Sequence, residues 1–461
     1  MIDLDIQINA FAELLIEKEK HVRPRGNKRS DIEYEKFVLS TAWLCKKLLL
    51  INSAHKDASI HISRDKNRYK SGRYVPKGIS HRVTIEGVLD LMEILGYVDL
   101  ITRGNYSRQT GKGEQTTYKP TKAFIDYFNV VNSLLPKRLA AFDNTENVVL
   151  QITQRRKLKW KDGKPKHIPV KVKKEYADTP QIIQWRDNLT IINDCLRRHW
   201  SDLCLPDADF NKLQLQLMRN SKYLYSPIQL HRQTLRRSFS KDTFDEGGRF
   251  YGGWWQNIPS AYRSFITIDG KFTDEFDYGR LNPTMLYAEK GLICESDAYD
   301  IGIGKEHRDV VKEAFNAMVQ MKKDTNRPPN DIDFDSTGLK WKDLKRLILK
   351  RHQPIKDSFF CNKGNALQFK DSQIAEQVML HFAKLDIPIL PVHDSFIITR
   401  GLFSELITVM RNEFEKQIGV AVNIDDSAKV IPMSFGPEEV DTEHLLSETY
   451  KYSAWETRNP L

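Results

Sequence analysis

Cysteine is scarce and unpaired in this chain, which limits the kinds of protein it can be. The five cysteines are widely spaced and odd in number, and none of them forms the C-x-x-C pattern of a metal or redox motif. A small secreted domain held together by disulfides is therefore not expected. We predict a reducing, cytoplasmic setting.

Long apolar runs, internal repeats and low-complexity tracts are also missing. No stretch is apolar for long enough to cross a bilayer, and the segment MIDLDIQINAFAELLIEKEK mixes acidic with apolar residues, unlike a signal or transit peptide. We therefore expect no membrane partner. With 461 residues the chain is longer than a domain with a single hydrophobic core usually is, so two or three domains are expected.

Positive charge is in excess. The chain has 71 Lys and Arg against 61 Asp and Glu, a formal net charge of +10, which favours a polyanionic partner such as nucleic acid. The densest basic run, 151–177, is broken by Gly and Pro and contains one tryptophan, Trp160. It is a candidate domain boundary. It could follow a nucleic-acid backbone while Trp160 stacks on a base, or it is simply a solvated surface.

A helix followed by a basic hairpin is predicted in the first third of the chain. The segment TIEGVLDLMEILGYVDL has apolar residues at helical spacing, with Thr84 as a candidate N-cap. Two strand-like runs around a turn rich in Gly, Arg and Lys follow it. This order resembles a winged helix, whose wing would carry Arg103, Arg108 and Lys112 toward a phosphate backbone. The alternative is an ordinary helix and hairpin with a solvated tip.

Four segments in the second half carry the candidate chemistry. In chain order they are GGRFYGGWWQNIPSAYR at 247–263, DYGRLNPTMLYA at 277–288, HRDVVKEAFNAMVQM at 307–321 and LPVHDSFII at 390–398. Asp277 follows a strand-like run, and Asp394 lies in an apolar one, where an unpaired buried charge would be costly. If the fold brings them together, two such carboxylates could hold the pair of divalent ions, about 4 Å apart, that phosphoryl transfer uses.

Together the four segments resemble the family A polymerases, a group that includes the single-subunit phage RNA polymerases, over roughly residues 245–435. Asp277-Tyr278-Gly279 is similar to the first metal-binding motif of the family and Val392-His393-Asp394 to the last. The resemblance implies that Asp277 and Asp394 are catalytic metal ligands. The implied cofactor is a pair of Mg²⁺ ions, with Mn²⁺ as a substitute.

The third segment places two cations on one helix face. Arg308 and Lys312 are four residues apart and could bind an incoming triphosphate, although this spacing usually marks a solvated helix surface. By the resemblance, Lys312 contacts the triphosphate and can protonate the departing pyrophosphate, while Arg308 binds the outer phosphates. Tyr278, Asn282 and Gln320 are the other nucleotide contacts that the resemblance implies.

A further group of residues is expected to contact nucleic acid. The resemblance implies that an arginine touches the primer-template near its growing end and that a loop contacts the duplex. It also implies that the helix containing LQFKDSQIAE contacts the template or the minor groove. The residues at these positions are Arg249, Gln256, Asn257, Arg263, Gln368 and His393. For the first segment, the alternative is a Gly-rich turn beside a tryptophan pair in the core.

Three residues depart from the pattern of DNA-making relatives. Asn282 stands where these usually have Glu, Gln320 replaces a Tyr, and Ser395 after Asp394 is typical of phage RNA polymerases. WWQNIP and the helix of Gln368 look closer to the DNA-making branch. We favour a DNA-directed DNA polymerase without proofreading, suited to a mobile element. The alternatives are an RNA polymerase or primase on the same palm, and a non-catalytic replication initiator or regulator.

The expected architecture is an α/β multidomain chain. Residues 1–150 would form a winged-helix-like nucleic-acid-binding domain, and 151–245 a basic linker with a helical, thumb-like region. Residues 246–461 would form a right-hand palm, an antiparallel sheet with helices, with fingers inserted around 300–365. The expected partners are a DNA primer-template or template and nucleoside triphosphates.

Overall fold

A computed structural model of the chain describes residues 4–54, 58–70, 72–106, 113–128, 146–158, 166–220, 227–294, 296–329, 332–333 and 335–426. These residues form a mixed α/β structure with several sheets and three clusters of buried apolar side chains. In these ranges no helix is long and apolar enough to span a membrane. Arg108, Lys112 and Trp160 lie outside the described residues.

The N-terminal elements enclose a hydrophobic core of their own. The helices are α1 (Leu4–Val22), α2 (Asp31–Ala54), a π-helical segment (His81–Leu89) that runs directly into α3 (Asp90–Ile94), and α4 (Lys122–Tyr127). The strands are β1 (Ile60–His61), β2 (Val98–Thr102), β3 (Asn105–Tyr106), β4 (Gly113–Glu114) and β5 (Thr117–Pro120). Strands β1, β5 and β2 form an antiparallel sheet in that order, and β3 pairs with β4.

The predicted order of helix and then hairpin is present, but the helix begins earlier than Thr84. The hydroxyl of Ser80 accepts a hydrogen bond from the backbone N–H of Val83 (3.3 Å) and caps the helix. Thr84 is buried inside the helix, with its hydroxyl 2.8 Å from that of Ser40 on α2. Arg103 is exposed between β2 and β3.

The segment 151–245 contains strands as well as the expected helices. The basic run forms a long hairpin of β6 (Val148–Leu158) and β7 (Lys166–Lys173), followed by α5 (Pro180–Arg198), β8 (Ser201–Leu203), α6 (Asp207–Asn220) and β9 (Arg236–Phe239). β9 pairs with β10 (Gly247–Tyr251) as well as with β6. The pairing of β9 with β10 thus crosses residue 245, and helical periodicity in the sequence does not reveal strand pairing.

One large antiparallel sheet organises the C-terminal half. Its strands run in the order β13-β14-β12-β11-β8, and β15 pairs with the free end of β12. The new strands are β11 (Ile266–Ile268), β12 (Lys271–Tyr278), β13 (Leu390–Val392), β14 (Ser395–Thr399) and β15 (Ile424–Asp426). The helices that accompany them are α7 (Leu281–Ala288), α8 (Arg308–Gln320), α9 (Trp341–Arg351), α10 (Gly364–Lys384) and α11 (Phe403–Ile418).

The two faces of β12 have different surroundings, since side chains alternate along a strand. Phe276 stacks on Phe403 of α11, and Tyr278 packs against Phe414 of the same helix. Asp277 therefore lies on the opposite face from α11. That face carries the candidate site.

Candidate active site

Strand pairing brings acidic residues to one end of the large sheet. Asp277 on β12 lies directly opposite Ser395 on β14 and opposite Asp425 on β15. Residues that face each other in this way project from the same face, with Cβ atoms about 5 Å apart. Asp394 immediately precedes Ser395, and its carbonyl accepts a hydrogen bond from the N–H of Tyr278 (3.4 Å). The structure thus brings the backbones of Asp277, Asp394 and Asp425 together.

Gly279 shows where the carboxylate of Asp425 lies. A Cβ atom at Gly279 would meet Oδ2 of Asp425 at 2.6 Å, closer than real Cβ contacts allow. The carboxylate of Asp425 therefore rests against the backbone two residues beyond Asp277. A side chain at position 279 would push it away.

A buried ion pair borders the acidic group. Nε of Arg249 on β10 donates to Oδ2 of Asp371 on α10 (2.7 Å), and Asp371 is only 2 % exposed. Burial raises the pKa of Asp371 to about 6; Arg249 counteracts this effect, and the negative charge of Asp394 adds to it. The pKa of Arg249 is raised, because Asp371 and Asp394 outweigh the cost of burying its charge. These shifts indicate that Arg249, Asp371 and Asp394 share one electrostatic environment.

A second buried network holds α10 against the strand that carries Arg249. Arg237 on β9 is fully buried and donates to the carbonyl of Gly248 (2.9 Å), to Glu376 (2.9 Å) and to the hydroxyl of Ser372 (3.0 Å). Gly248 has a φ of +82°, and a Cβ there would meet Ser372 Oγ at 2.7 Å. Glycine allows both this backbone conformation and the close approach of helix and strand.

The basic N-terminus of α8 lies close to the acidic group. Burial raises the pKa of Tyr299, and the negative charge of Asp394 adds to this effect. The guanidinium of Arg308 lies 5.2 Å from the centroid of the Tyr299 ring. Nε of Arg308 also donates to Asp297 (2.7 Å), so this cation is already paired. Lys312, one turn further along α8, is exposed and forms no ion pair with any described residue.

The other expected nucleotide contacts differ in where their side chains point. Asn282 on α7 donates its amide to Asn316 on α8 (2.9 Å), so it links the helix after Asp277 to the helix of Arg308. Gln320 ends α8, and its side chain packs against Gly364 at the start of α10. Tyr278 is not brought to the site: it is buried, and its hydroxyl donates to the carbonyl of Met410 (3.0 Å).

Two of the expected nucleic-acid contacts are engaged inside the protein. Gln256 donates to the carbonyls of Phe250 and Pro391 (3.0 Å each), and it thereby fixes its turn to β10 and β13. Arg263 donates to Glu275 on β12 (2.8 Å). Both side chains stabilise the turn, in agreement with the alternative of a Gly-rich turn beside buried tryptophans, Trp254 and Trp255.

Three others have side chains that remain accessible. Asn257 is exposed at the end of the same turn. His393 adopts a φ of +58° in the turn before Asp394, and its pKa is lowered first by desolvation and then by the nearby charge of Arg249. Gln368 is half-buried on α10, one turn before Asp371. Arg249 and His393 therefore border the acidic group from two different elements, and Gln368 lies on the helix that carries Asp371.

The donor set suits a hard divalent cation. Asp277, Asp394 and Asp425 offer only carboxylate oxygens, which Mg²⁺ and Mn²⁺ prefer. Among the described residues, only one His/Cys/Asp/Glu triad has ligand atoms all within 4.8 Å of one another, and it lies elsewhere, at Cys195, His199 and Asp386. In a site for two ions about 4 Å apart, each ion has its own ligands, so the carboxylate oxygens are not all close to one another. The ligand atoms of Asp277, Asp394 and Asp425 are not all within 4.8 Å of one another, which a pair of ions about 4 Å apart allows.

Sequence reasoning missed Asp371, Asp425 and Asp297, which all border the group. Asp371 had a detectable signal, since it falls on the face of the α10 pattern that also carries Gln368 and apolar residues. Asp425 and Asp297 had none, because their position depends on strand pairing and on a loop. No protein-family model matches the sequence, and a search of curated proteins finds no significant match either.

Proposed function

We propose that the chain is a template-directed nucleic-acid polymerase, most simply a DNA-directed DNA polymerase, that joins nucleotides by two-metal-ion phosphoryl transfer. One observation carries the proposal: β12 pairs with β14 in the register that brings Asp277 beside Asp394. The acids of the two motifs are distant in the chain, and only this pairing makes them neighbours. The resemblance to family A polymerases requires that proximity.

The roles follow from the positions of the residues. Asp277 and Asp394, with Asp425 beside them, would hold two Mg²⁺ ions, and these ions would supply activation of the 3′-hydroxyl and charge neutralisation at the leaving pyrophosphate. Lys312 is the exposed cation on α8 and would contact the triphosphate. Arg308 would exchange its bond to Asp297 for one to phosphate, since a guanidinium binds either group in a forked geometry.

Binding of the primer-template would involve the elements that border the acids. Arg249 is held by Asp371 with its guanidinium close to Asp394, where the primer end must lie for reaction. Gln368 and His393 would contact the same duplex. The large antiparallel sheet with its helices supports a palm, and α8 and α9 support inserted fingers.

The N-terminal elements and the basic hairpin support a nucleic-acid-binding role outside the reaction centre. A helix followed by a hairpin, with Arg103 exposed beside β2, is compatible with a winged helix. The β6–β7 hairpin carries the densest basic run of the chain. Both would bind nucleic acid through phosphate contacts, and this binding would weaken as the salt concentration is raised.

An RNA polymerase or primase on the same palm is the second candidate, and two observations favour it. Asn282 is tied to Asn316, so no carboxylate closes the sugar position. Ser395 follows Asp394, as in the phage RNA polymerases that these motifs resemble, and its hydroxyl lies 2.5 Å from Oε1 of Glu275 and 2.9 Å from the carbonyl of Val392.

Primer extension tests the proposal and separates these candidates. The full chain would be offered a labelled primer on a DNA template in Mg²⁺, with deoxynucleotides and ribonucleotides in separate reactions. Extension by deoxynucleotides supports a DNA polymerase. Product from ribonucleotides alone, without a primer, would identify an RNA polymerase or primase, and no product under either condition would favour a non-catalytic DNA-binding protein.

A further inference from the structure

A second candidate metal site lies at the opposite end of β12. Cys195 and His199 are four residues apart at the C-terminal end of α5, and Asp386 follows α10 with a φ of +57°. One ligand atom from each lies within 4.8 Å of those from the other two. Asp269, just before β12, borders the group, and the length of the strand puts it on the order of 25 Å from Asp277.

The surroundings of His199 orient its ring as in a metal ligand. Nδ1 lies 2.5 Å from Oδ2 of Asp269, whose other oxygen accepts from the N–H of Trp200 (2.8 Å). A carboxylate on one ring nitrogen is the usual partner of a metal-binding histidine, since it keeps the proton on that nitrogen. Nε2 then carries the lone pair. It is buried and has no hydrogen-bond partner among the described residues.

The spacing of the group suits a small tetrahedral ion. Nε2 of His199 lies 3.4 Å from Oδ1 of Asp386, at the long end of an ion-pair contact. Two ligand atoms at about 2.1 Å from a tetrahedral ion are themselves about 3.4 Å apart. The third ligand, the thiol of Cys195, is 1 % exposed. Burial, followed by the charge of Asp386, raises the thiol pKa to about 11.

We infer that Cys195, His199 and Asp386 bind a zinc-class divalent cation. Thiolate and imidazole ligands select Zn²⁺ over Mg²⁺, so this ion differs from those proposed at Asp277. Binding forms the bond from sulfur to metal and releases the thiol proton to water. The ion would fasten the end of α5 to the end of α10. This inference does not rest on the proposed polymerase function.

An ion-pair network is the competing explanation. Arg198 donates to Oδ1 of Asp386 through Nε (2.8 Å) and Nη2 (2.6 Å), and a protonated His199 would bridge Asp269 and Asp386. Two cations would then balance two anions without a metal. Cys195 has no role in that network. The thiol therefore distinguishes the two explanations.

Metal titration of the full chain tests the inference. Chelator-treated protein is titrated with Zn²⁺ against a chromophoric chelator in excess Mg²⁺, and with Co²⁺ followed by absorbance. We expect about one Zn²⁺ per chain and a thiolate-to-Co²⁺ charge-transfer band. Cys195→Ala should remove the band and weaken Zn²⁺ binding by about a hundredfold, and Asp269→Asn should weaken it by about tenfold. Cys204→Ala, which changes another buried cysteine, should leave both unchanged.

The result that would overturn the inference is wild-type protein that takes up no Zn²⁺ in excess Mg²⁺, or Cys195→Ala that matches it in affinity and spectrum. If Cys195→Ala fails to fold, the Co²⁺ spectrum of the wild type decides, since absence of the thiolate band contradicts the site. Asp277→Asn should bind Zn²⁺ normally. Loss of binding in that variant would assign the ion to the other end of the sheet and overturn the inference.

Discussion

Replacement of Asp371 by asparagine tests the buried ion pair at the candidate active site. The carboxyl of Asp371 has a pKa of about 6 in the folded protein against an ordinary value of 3.8. An acid whose pKa is higher in the folded than in the unfolded state contributes stability that is fully present below its unfolded-state pKa. This contribution is lost as the pH rises through its folded-state pKa. The window for Asp371 therefore runs from about pH 4 to about pH 6.

The size of the effect follows from the shift. About two pKa units correspond to roughly 3 kcal/mol. Between about pH 4 and pH 7, the wild type should therefore lose roughly 3 kcal/mol of unfolding free energy relative to Asp371→Asn, which cannot ionise. Asparagine keeps the size of the side chain and an acceptor for Arg249, so the comparison isolates the charge.

Urea unfolding followed by tryptophan fluorescence, repeated across this pH range, measures the difference between the two proteins. Asp242→Asn is the control, because Asp242 is an exposed acid whose pKa is lowered by its bond to Lys174. The unfolding free energy of the wild type relative to Asp242→Asn should not fall as the pH rises. A difference between wild type and Asp371→Asn that stays constant from about pH 4 to pH 7 would refute the reasoning.

Three further predictions concern other parts of the structure. Arg237→Met should cost roughly 3–5 kcal/mol in urea unfolding, because Glu376 is left as an unpaired buried charge; the double variant with Glu376→Leu should recover much of it. Lys312→Ala should raise the KM for nucleotide by about tenfold or more in steady-state extension, since a charge-assisted phosphate contact is lost. Asn282→Glu should lower ribonucleotide use relative to deoxynucleotide use by about tenfold, measured by competition, because the larger acid fills the sugar position.

Local patterns predicted single elements well. The helix around residues 85–95, the hairpin after it, and the helices α5 and α8 all follow from apolar spacing or helix-forming sequence. The cap at Ser80 was missed because Thr84 is an equally good capping residue, and only the buried contact to Ser40 shows that it lies inside the helix. Local signals are weakest at the boundaries of elements.

Long-range pairing could not be predicted from residue patterns. The meeting of Asp277 with Asp394 was expected only through the resemblance, and Asp425 was not expected at all, because its place depends on β15 lying beside β12. The strands within 151–245 were not predicted either, because β6 and β9 pair with each other across many residues. Gln256 and Arg263 show a related limit, since a polar side chain in a motif can serve the fold instead of a ligand.

Single-nucleotide incorporation in Mg²⁺ tests the central claim most directly. Wild-type protein is compared with Asp277→Asn and Asp394→Asn on one primer-template, under single-turnover conditions. Asp274→Asn is the matched control, because Asp274 lies on the same strand but on its other face, bound to Arg400. Removal of a metal ligand should slow incorporation by about a thousandfold or more, while Asp274→Asn should keep nearly full activity. Equal rates in all four proteins, or no incorporation by the wild type, would contradict the account.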